Sequence, residues 1–306
     1  MRKRITLFVI MALIMLINIS GCIIDEKQSG SSIIVDINGE GNYTSIQEAI
    51  NAASSNCSIK VLKGIYYENI VINKTVVLMG ENPDNTIIDG NASDDVIYIF
   101  EDGKAVISGF TIRNSGVDRT FPFKAGVKVN SNYNKIYGNI ITNNSIGVIS
   151  YFGMENNFSN NSILSNEEYG LILYSDMNDS VKDNLFREND HGLRVKGSEN
   201  IIIVGNIFKD NNKGMNFCCG STDNVAYFNI FMNNSAWNAD DDDDINVQNE
   251  WYSYSIGKGN YWDDYTGDDA DGDGIGDTPY NVTSDGTILD VFPLIEPLVS
   301  PYLIAP

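Results

Sequence analysis

An eight-residue pattern that occurs five times between residues 137 and 234 decides the fold of this chain. Its copies are YGNIITNN at 137–144, SNNSILSN at 159–166, KDNLFREN at 182–189, VGNIFKDN at 204–211 and YFNIFMNN at 227–234. The third and eighth positions are always asparagine, and successive copies start 22 or 23 residues apart. A fixed period of this length predicts supersecondary units that stack along one axis.

The invariant positions form columns of equivalent residues. The third position holds Asn139, Asn161, Asn184, Asn206 and Asn229, and the eighth holds Asn144, Asn166, Asn189, Asn211 and Asn234. A glycine column follows at Gly147, Gly170, Gly192 and Gly214. Because asparagine and glycine tolerate left-handed backbone angles, these three columns are predicted to mark bends.

Short alternating strands separate the bends and predict the core. Alternation places Leu171, Leu193 and Met215 in one inward column, and Leu173, Val195 and Phe217 in the next. The sequence therefore predicts an all-β, right-handed parallel β-helix of about eight coils of about 22 residues over 57–235. Because coils rise by about 4.8 Å, each amide of the Asn139 column can bond the next coil and form a structural ladder.

A short helix is predicted over residues 44–54, ahead of the first coil. Ile46, Ala49, Ile50 and Ala53 have the spacing of one helical face, and Thr44 with Gln47 has the form of a capping box. Residues 33–56 are therefore predicted to form an N-terminal cap that covers the unpaired edges of the first coil.

The N-terminus has the layout of an export signal. Three bases precede an apolar run from Ile5 to Ile19, and Ser20, Gly21 and Cys22 follow it. This pattern predicts a signal peptide at 1–21 with a lipobox, lipidation of Cys22, and a linker over 22–32. We expect an extracytoplasmic protein, lipid-anchored to the cell membrane and displayed on the cell surface.

Negative charge is concentrated in a C-terminal cap predicted over 236–306. The formal net charge is -21, and residues 235–306 contain sixteen Asp and Glu residues against one base, Lys258. Such a field repels nucleic acid, so DNA or RNA partners are excluded, and it attracts cations.

Within this cap, residues 269–277 resemble part of a calcium loop. Side-chain oxygens recur at alternate positions around glycines, and position 12 is Tyr280, where an EF-hand has a bidentate glutamate. The alternative is an acidic, flexible turn. The predicted calcium ligands are Asp269, Asp271, Asp273, the Ile275 carbonyl and Asp277.

Several segments resemble two related families of β-helix proteins. Residues 41–50 (GNYTSIQEAI), 61–68 (VLKGIYYE) and 80–90 (GENPDNTIIDG) are similar to the start of pectin-lyase-like β-helices. The asparagine repeats, with 259–265 (GNYWDDY) and 271–280 (DGDGIGDTPY), resemble NosD-type surface lipoproteins of archaea. The resemblance implies three functional classes: a polysaccharide lyase or hydrolase, copper delivery, and non-catalytic binding or scaffolding.

The residues favour the third class. The outward columns of the predicted β-helix lack the clustered carboxylates that sugar hydrolysis needs. Copper sites draw on several His, Met or Cys ligands, whereas His191 is the only histidine. Cys218 and Cys219 are adjacent, and alternation along a strand predicts that they point to opposite faces.

Tyr174, Arg194 and Lys196 are predicted to share one outward face that binds a saccharide. An aromatic ring can stack on a sugar, and the bases can meet acidic groups. The alternative is an ordinary solvated β-face. We therefore expect a non-catalytic β-helix lipoprotein that binds or scaffolds carbohydrate, a surface glycoprotein or another envelope polymer.

The lipobox generates the first testable prediction. Cys22→Ser removes the thiol that receives the lipid, so the variant should leave the membrane fraction or be mislocalised. Fractionation followed by immunoblotting measures this. Unchanged membrane retention would contradict lipidation and favour an uncleaved signal anchor.

Overall fold

Three parallel sheets run along the molecule in this computed structural model. It describes residues 32–118, 120, 123–242 and 249–298, with the backbone of 23–24 and 28–29. The predicted signal peptide, lipobox and Cys22 lie outside the described residues. Among the described residues, no helix has the length and apolar character needed to cross a membrane.

Each complete coil contributes one strand to each sheet, and sheets 1 and 2 each have one further strand at an end. Sheet 1 contains Ile33–Val35, Cys57–Val61, Thr75–Gly80, Lys104–Ser108, Lys135–Tyr137, Asn157–Ser159, Ser180–Lys182, Ile202–Val204 and Val225–Tyr227. Sheet 2 contains Gly64–Tyr67, Thr86–Asp89, Thr111–Arg113, Ile140–Thr142, Ser162–Leu164, Leu185–Arg187, Ile207–Lys209, Ile230–Met232 and Tyr261–Trp262. Sheet 3 contains Ile70–Ile72, Ile97–Ile99, Ala125–Val129, Ile146–Tyr151, Tyr169–Tyr174, His191–Lys196, Lys213–Cys218 and Trp237–Asp241.

The predicted parallel β-helix is confirmed, with about nine turns in place of eight. Ile33–Val35 already pairs in parallel with Cys57–Val61, and Trp237–Asp241 pairs with Lys213–Cys218. The coils therefore extend beyond the predicted limits of 57 and 235. Two small antiparallel pairs complete the described strands: Ile23–Ile24 with Gln28–Ser29, and Tyr280–Asn281 with Leu289–Asp290.

The inward columns form one continuous apolar core. Leu171, Leu193 and Met215 are fully buried and lie opposite one another in sheet 3. In sheet 2 the aromatic rings of Phe186, Phe208, Phe231 and Trp262 are stacked in that order, and the ring of Tyr280, from the antiparallel pair of the cap, follows them. Their successive centroids are 4.9, 4.9, 4.4 and 4.2 Å apart. The last two rings belong to the C-terminal cap, so the same stack carries the core into it.

The backbone bends fall one residue before each ladder asparagine. The φ angle is positive at Gly138, Asn160, Asp183, Gly205 and Phe228, and again at Asn143, Ser165, Glu188, Asp210 and Asn233. The glycine column does not form the predicted bends, because it lies inside the strands of sheet 3. A Cβ at Gly147 would lie 2.5 Å from the Gly170 carbonyl oxygen, so close approach between coils explains the glycine.

The Asn139 column lies at the corner between sheets 1 and 2 and is buried. The backbone amides of Asn161 and Asn184 donate to Oδ1 of the next residue in the column at 2.9 and 3.0 Å. Asn184 Nδ2 also donates to the Phe158 carbonyl of the preceding coil at 2.8 Å. Each amide therefore satisfies polar groups of both neighbouring coils. The Asn144 column does the same between sheets 2 and 3.

A third buried column, which the sequence reading missed, lies at the corner between sheets 3 and 1. It contains Asn134, Asn156, Asp179, Ile201 and Asn224. Asp179 Oδ1 accepts from the Asn156 amide at 2.7 Å, as an asparagine Oδ1 would. The sequence pattern of this column was weak because two of its five positions are not asparagine.

The N-terminal helix spans Ile46–Ala52 and buries Ile46, Ala49 and Ile50. Its N-cap is Ser45, whose Oγ accepts from the Glu48 amide at 3.3 Å, so the predicted pairing of Thr44 with Gln47 is wrong. The Glu68 carboxylate of the first coil completes the cap, since it accepts from the Ile46 and Gln47 amides at 2.8 Å. A tertiary contact thus fixes where the helix begins.

The ladder generates a stability prediction. Asn184→Ala and Asn206→Ala should each lower the free energy of unfolding by about 1–3 kcal/mol, because each leaves buried partners without hydrogen bonds. Denaturant unfolding measures the change. The matched control is Asn212→Ala, at an exposed position. Equal effects at all three positions would contradict the ladder's role.

The Asp179 carboxyl generates a pH prediction. Burial raises its pKa to about 7, and burial together with the Asp179 charge raises the pKa of Asp176 as well. The pKa of an Asp carboxyl in the unfolded chain is about 3.9. Between about pH 4 and pH 7 the native state therefore holds protons that the unfolded chain has released, and this difference stabilises the native state. The stabilisation is fully present below about pH 4 and is lost as the pH rises through about 7.

Asp179→Asn should accordingly raise the melting temperature at pH 8 and change it little at pH 4. The substitution supplies the amide that Asn156 and Asn224 use in the same column. Asp223→Asn, at an exposed residue, is the control. If Asp179→Asn changes the melting temperature by the same amount at pH 8 and at pH 4, Asp179 is not held protonated in the native state.

Candidate functional site

The outer face of sheet 3 gathers aromatic and basic side chains on four successive coils. In-register pairing aligns Tyr169, His191, Lys213 and Trp237 in one column. It aligns Ile172, Arg194 and Asn216 in a second, and Tyr174, Lys196 and Cys218 in a third. We call the following residues the platform: Tyr169, Tyr174, His191, Arg194, Lys196, Lys213 and Trp237.

Ring and cation contacts hold the platform together. The His191 ring lies 4.8 Å from the Tyr169 centroid and 6.1 Å from that of Trp237. The Lys213 Nζ lies 5.9 Å from the Trp237 centroid, within reach of a cation–π interaction. Burial, followed by the Lys213 charge, lowers the pKa of His191, so its imidazole is neutral at pH 7. The result is a row of partly exposed rings on three of the four coils, with Lys213 on the coil between His191 and Trp237.

The three predicted ligand residues lie on this face, in different environments. The Lys196 Nζ is 4.7 Å from the Tyr174 ring centroid, and both side chains are partly exposed. The Arg194 guanidinium is more constrained, since Nη1 donates to the Tyr169 hydroxyl at 3.0 Å and Nε lies 3.3 Å from Cys218 Sγ. Hydrogen bonding thus fixes Arg194 in place, whereas the Lys196 ammonium lies against the face of the Tyr174 ring.

Sequence reasoning missed Tyr169, His191, Lys213 and Trp237 as members of the face. They occupy the position directly before the glycine column, or its equivalent in the last coil. That position could have been found by counting back from each glycine, but the side chains vary too much in type to form an obvious column.

On the coils that precede the platform, the outer face of sheet 3 is covered by apolar packing. An apolar cluster of Ala125, Ile146, Ile149, Tyr151 and Ile172 is buried there, with Phe123 packed against it. Lys128 is also buried and forms a 2.7 Å ion pair with Asp95. The accessible part of the face is therefore the platform, between Tyr169 and Trp237.

Carboxylates are sparse within the three described columns of the platform. From Tyr169 to Cys218 no column position is Asp or Glu. Acids lie beside the columns and in the fourth coil: Asp190 Oδ2 lies 2.9 Å from His191 Nδ1, Asp240 continues the Asn216 column, and Asp242 Oδ2 lies 3.4 Å from Asn216 Nδ2. The first three coils offer rings and positive charge to a ligand. The fourth adds a carboxyl pair, Asp240 with Asp242, in which burial followed by the Asp242 charge raises the pKa of Asp240. These two carboxyls are hydrogen-bonded to each other, closer than the roughly 5–9.5 Å separation of the acid pairs in glycoside hydrolases.

The acidic loop brings three of its predicted ligands together. Oxygens of Asp269, Asp271 and Asp273 lie within 4.8 Å of one another. The Asp269 carboxylate accepts from the Gly272 and Gly274 amides at 2.8 and 3.0 Å, which closes the loop. Asp277 Oδ2 instead accepts from the Ala270 amide. Oxygen donors in this number suit a hard cation such as Ca²⁺, with water for the remaining ligands.

The described residues do not offer a comparable copper centre. Their only cluster of three or more His, Cys, Asp or Glu ligands is the acidic loop, and carboxylates suit hard cations better than copper. The prediction that Cys218 and Cys219 point to opposite faces is wrong, because their sulfurs lie 2.9 Å apart. Cys219 has a φ of 66°, which turns it out of the strand alternation.

The stacked coils define a right-handed parallel β-helix protein with a polar platform on one outer face. The profile of the family described as "Periplasmic copper-binding protein (NosD)" matches residues 50–267. The match covers more than half of the chain, and the chain belongs to this family.

Parts of the chain are also similar to plant pectinesterases. A segment of 113 residues is 35% identical to "Probable pectinesterase/pectinesterase inhibitor 6" of Arabidopsis thaliana, over 33% of this chain and 20% of that protein. Another of 102 residues is 40% identical to "Probable pectinesterase 67" of the same plant, over 29% of this chain and 30% of that protein. The chain thus spans less than a third of either relative.

Solved structures with a similar arrangement include two pectin methylesterases. The carrot enzyme has a TM-score of 0.39 and 13% identity, over 71% of this chain and 88% of that chain. The Aspergillus niger enzyme has a TM-score of 0.43 and 12% identity, over 70% and 86%.

Proposed function

We propose that this protein is a non-catalytic, lipid-anchored cell-surface β-helix whose platform binds an acidic carbohydrate or a similar envelope polymer. The observation that carries the proposal is the row of partly exposed rings and cations across four coils of sheet 3. Positive charge collects there although the chain carries a formal net charge of -21.

The chemistry of the platform matches a chain of acidic sugars. Tyr174 and Trp237 can stack against sugar rings, as aromatic faces do with apolar surfaces. Lys196 and Lys213 lie beside those rings, where they can meet carboxylates of the same sugars. Since coils repeat about every 4.8 Å, a polymer lying along the axis would meet the same chemistry several times.

The comparisons support a carbohydrate ligand and an extracytoplasmic location. The matched plant relatives are named pectinesterases, and the family's description is periplasmic. A signal peptide with a lipobox would place the platform on the outer side of a membrane. The alternatives are cleavage of the polymer and copper delivery. The experiment described below distinguishes each of them from polymer binding without cleavage.

We also propose that the acidic loop binds calcium in the C-terminal cap. Backbone hydrogen bonds from the Gly276 amide to the Pro293 carbonyl and from the Ile295 amide to the Gly274 carbonyl fasten this loop to residues 293–295. A bound cation would offset the repulsion among Asp269, Asp271 and Asp273, and would stabilise the cap that closes the aromatic stack. Calcium would therefore act on stability and leave the platform's chemistry unchanged.

Removal of two platform charges should weaken polymer binding. Arg194→Met with Lys196→Met retains the apolar stems and removes both charges. Loss of two charge-assisted hydrogen bonds should raise the dissociation constant for polygalacturonate by roughly tenfold or more. Isothermal titration calorimetry of the full chain in detergent measures binding, and absorbance of unsaturated uronates measures cleavage.

The matched control is Lys60→Met with Lys135→Met, which removes equal charge from exposed positions of sheet 1. Equal weakening by both double variants would indicate a nonspecific charge effect and contradict a platform. Cleavage by the wild type that the platform variant loses would establish an enzyme, and copper binding without polymer binding would favour copper delivery.

Calcium should raise the melting temperature of the full chain, and magnesium should not reproduce the rise. Because Tyr280 cannot supply a bidentate contact, the dissociation constant should lie at about 10⁻⁴–10⁻³ M. Asp271→Ala with Asp273→Ala should abolish the effect, whereas Asp84→Ala with Asp102→Ala, which removes the same charge elsewhere, should preserve it. Calorimetry without calcium binding at millimolar concentrations would refute the proposal.

A further inference from the structure

A pair of adjacent cysteines ends the last full strand of the platform. Cys218 is the final residue of Lys213–Cys218 and is buried, while Cys219 is exposed and begins the bend. The left-handed φ of 66° at Cys219 turns its side chain back over Cys218. The two sulfurs consequently lie 2.9 Å apart on the same side of the backbone.

We propose that Cys218 and Cys219 form a reversible redox site, in which exchange with a small-molecule disulfide joins the two sulfurs. A disulfide bond is about 2.0 Å long, so the sulfurs must approach by roughly 1 Å. The bend that brings them together is part of the fold, because Phe152, Ser175 and Gly197 have φ values of 55–58° at the equivalent positions of the preceding coils.

The different exposure of the two thiols sets the order of the exchange. Cys219 is accessible, so its thiolate attacks the small disulfide, forms a mixed disulfide and releases one small thiol. Cys218 then loses its proton, attacks Cys219 Sγ and releases the second small thiol. In total, two protein thiols become one disulfide, and one small disulfide is reduced to two thiols.

The buried thiol makes the second step the slow one. Burial, followed by the contact with Cys219, raises the pKa of Cys218 to about 12, although the nearby Arg194 guanidinium opposes the rise. Only a thiolate attacks a disulfide. Arg194 Nε, 3.3 Å from Cys218 Sγ, is placed to stabilise that thiolate as it forms.

The closed form should be easy to reduce. Adjacent residues have Cα atoms about 3.8 Å apart, less than the 4.4–6.8 Å range that is usual for disulfides. Strained disulfides are the labile ones, because strain raises the reduction potential. The pair therefore suits reversible exchange better than permanent cross-linking.

Closure would also change the platform, a consequence that rests on the proposed function. Closure draws Cys218 Sγ toward Cys219 and prevents it from becoming a thiolate, which weakens its contact with Arg194 Nε and leaves the Tyr169 hydroxyl as the main side-chain partner of the guanidinium among the described residues. The freed donors would be available to an acidic ligand. Oxidation should then strengthen polygalacturonate binding, and this effect should vanish in Cys218→Ser.

Differential alkylation and peptide mapping test the redox site without reference to ligand binding. The tryptic peptide 214–258 contains Cys218 and Cys219 and no other cysteine. After native full-length protein is treated with oxidised glutathione, this peptide should lose two hydrogens and resist alkylation. Dithiothreitol should restore both alkylation sites.

Two serine variants define the mechanism. Cys218→Ser should trap a stable glutathione adduct on Cys219, and Cys219→Ser should react far more slowly because Cys218 is buried. Two free thiols in the treated wild-type peptide, or separate glutathione adducts on both cysteines, would overturn the proposal. A closed disulfide with unchanged polymer binding would confirm the redox site and refute only its effect on the platform.

Discussion

The coils from residue 104 onward depend on the hydrogen bond from a backbone amide to the asparagine Oδ1 of the next coil. A corner of a β-helix turns the backbone inward, where water cannot reach its polar groups. The ladder asparagines satisfy those groups in both directions, since Asn184 accepts from Asn161 and donates to the Phe158 carbonyl. Without them, each corner would bury unsatisfied amides at a cost that the apolar core would have to offset.

The strict register that the ladders impose also builds the platform. Because equivalent residues lie directly above one another, a single side chain per coil becomes a continuous column on the surface. The rings of Tyr169 and His191 are neighbours only through that stacking, as are Tyr174 and Lys196. This repetition along one axis is the reason that we propose an extended polymer as the ligand.

The two ends of the β-helix are closed by different means. At the N-terminus a helix covers the first coil, and Glu68 of that coil caps the helix in return. At the C-terminus Trp262 and Tyr280 continue the phenylalanine stack, and Asp290 ends the Asn139 ladder by accepting from the Asn260 amide. Burial raises the pKa of Asp290 to about 6, which is the cost of ending an amide ladder with an acid.

The repeat was enough to predict the parallel β-helix, because a 22- or 23-residue period with invariant asparagines fits little else. It also placed Tyr174, Arg194 and Lys196 on one face, since alternation along a strand depends only on counting. The full extent of the coils could not be read from it, because the first and last coils lack the repeated pattern. Tertiary structure alone decided which residues bend, where the helix begins, and that two adjacent cysteines meet on one side. Those features depend on backbone angles and on contacts between distant coils, such as the φ of Cys219 and the Glu68 carboxylate at Ile46, which no local pattern encodes.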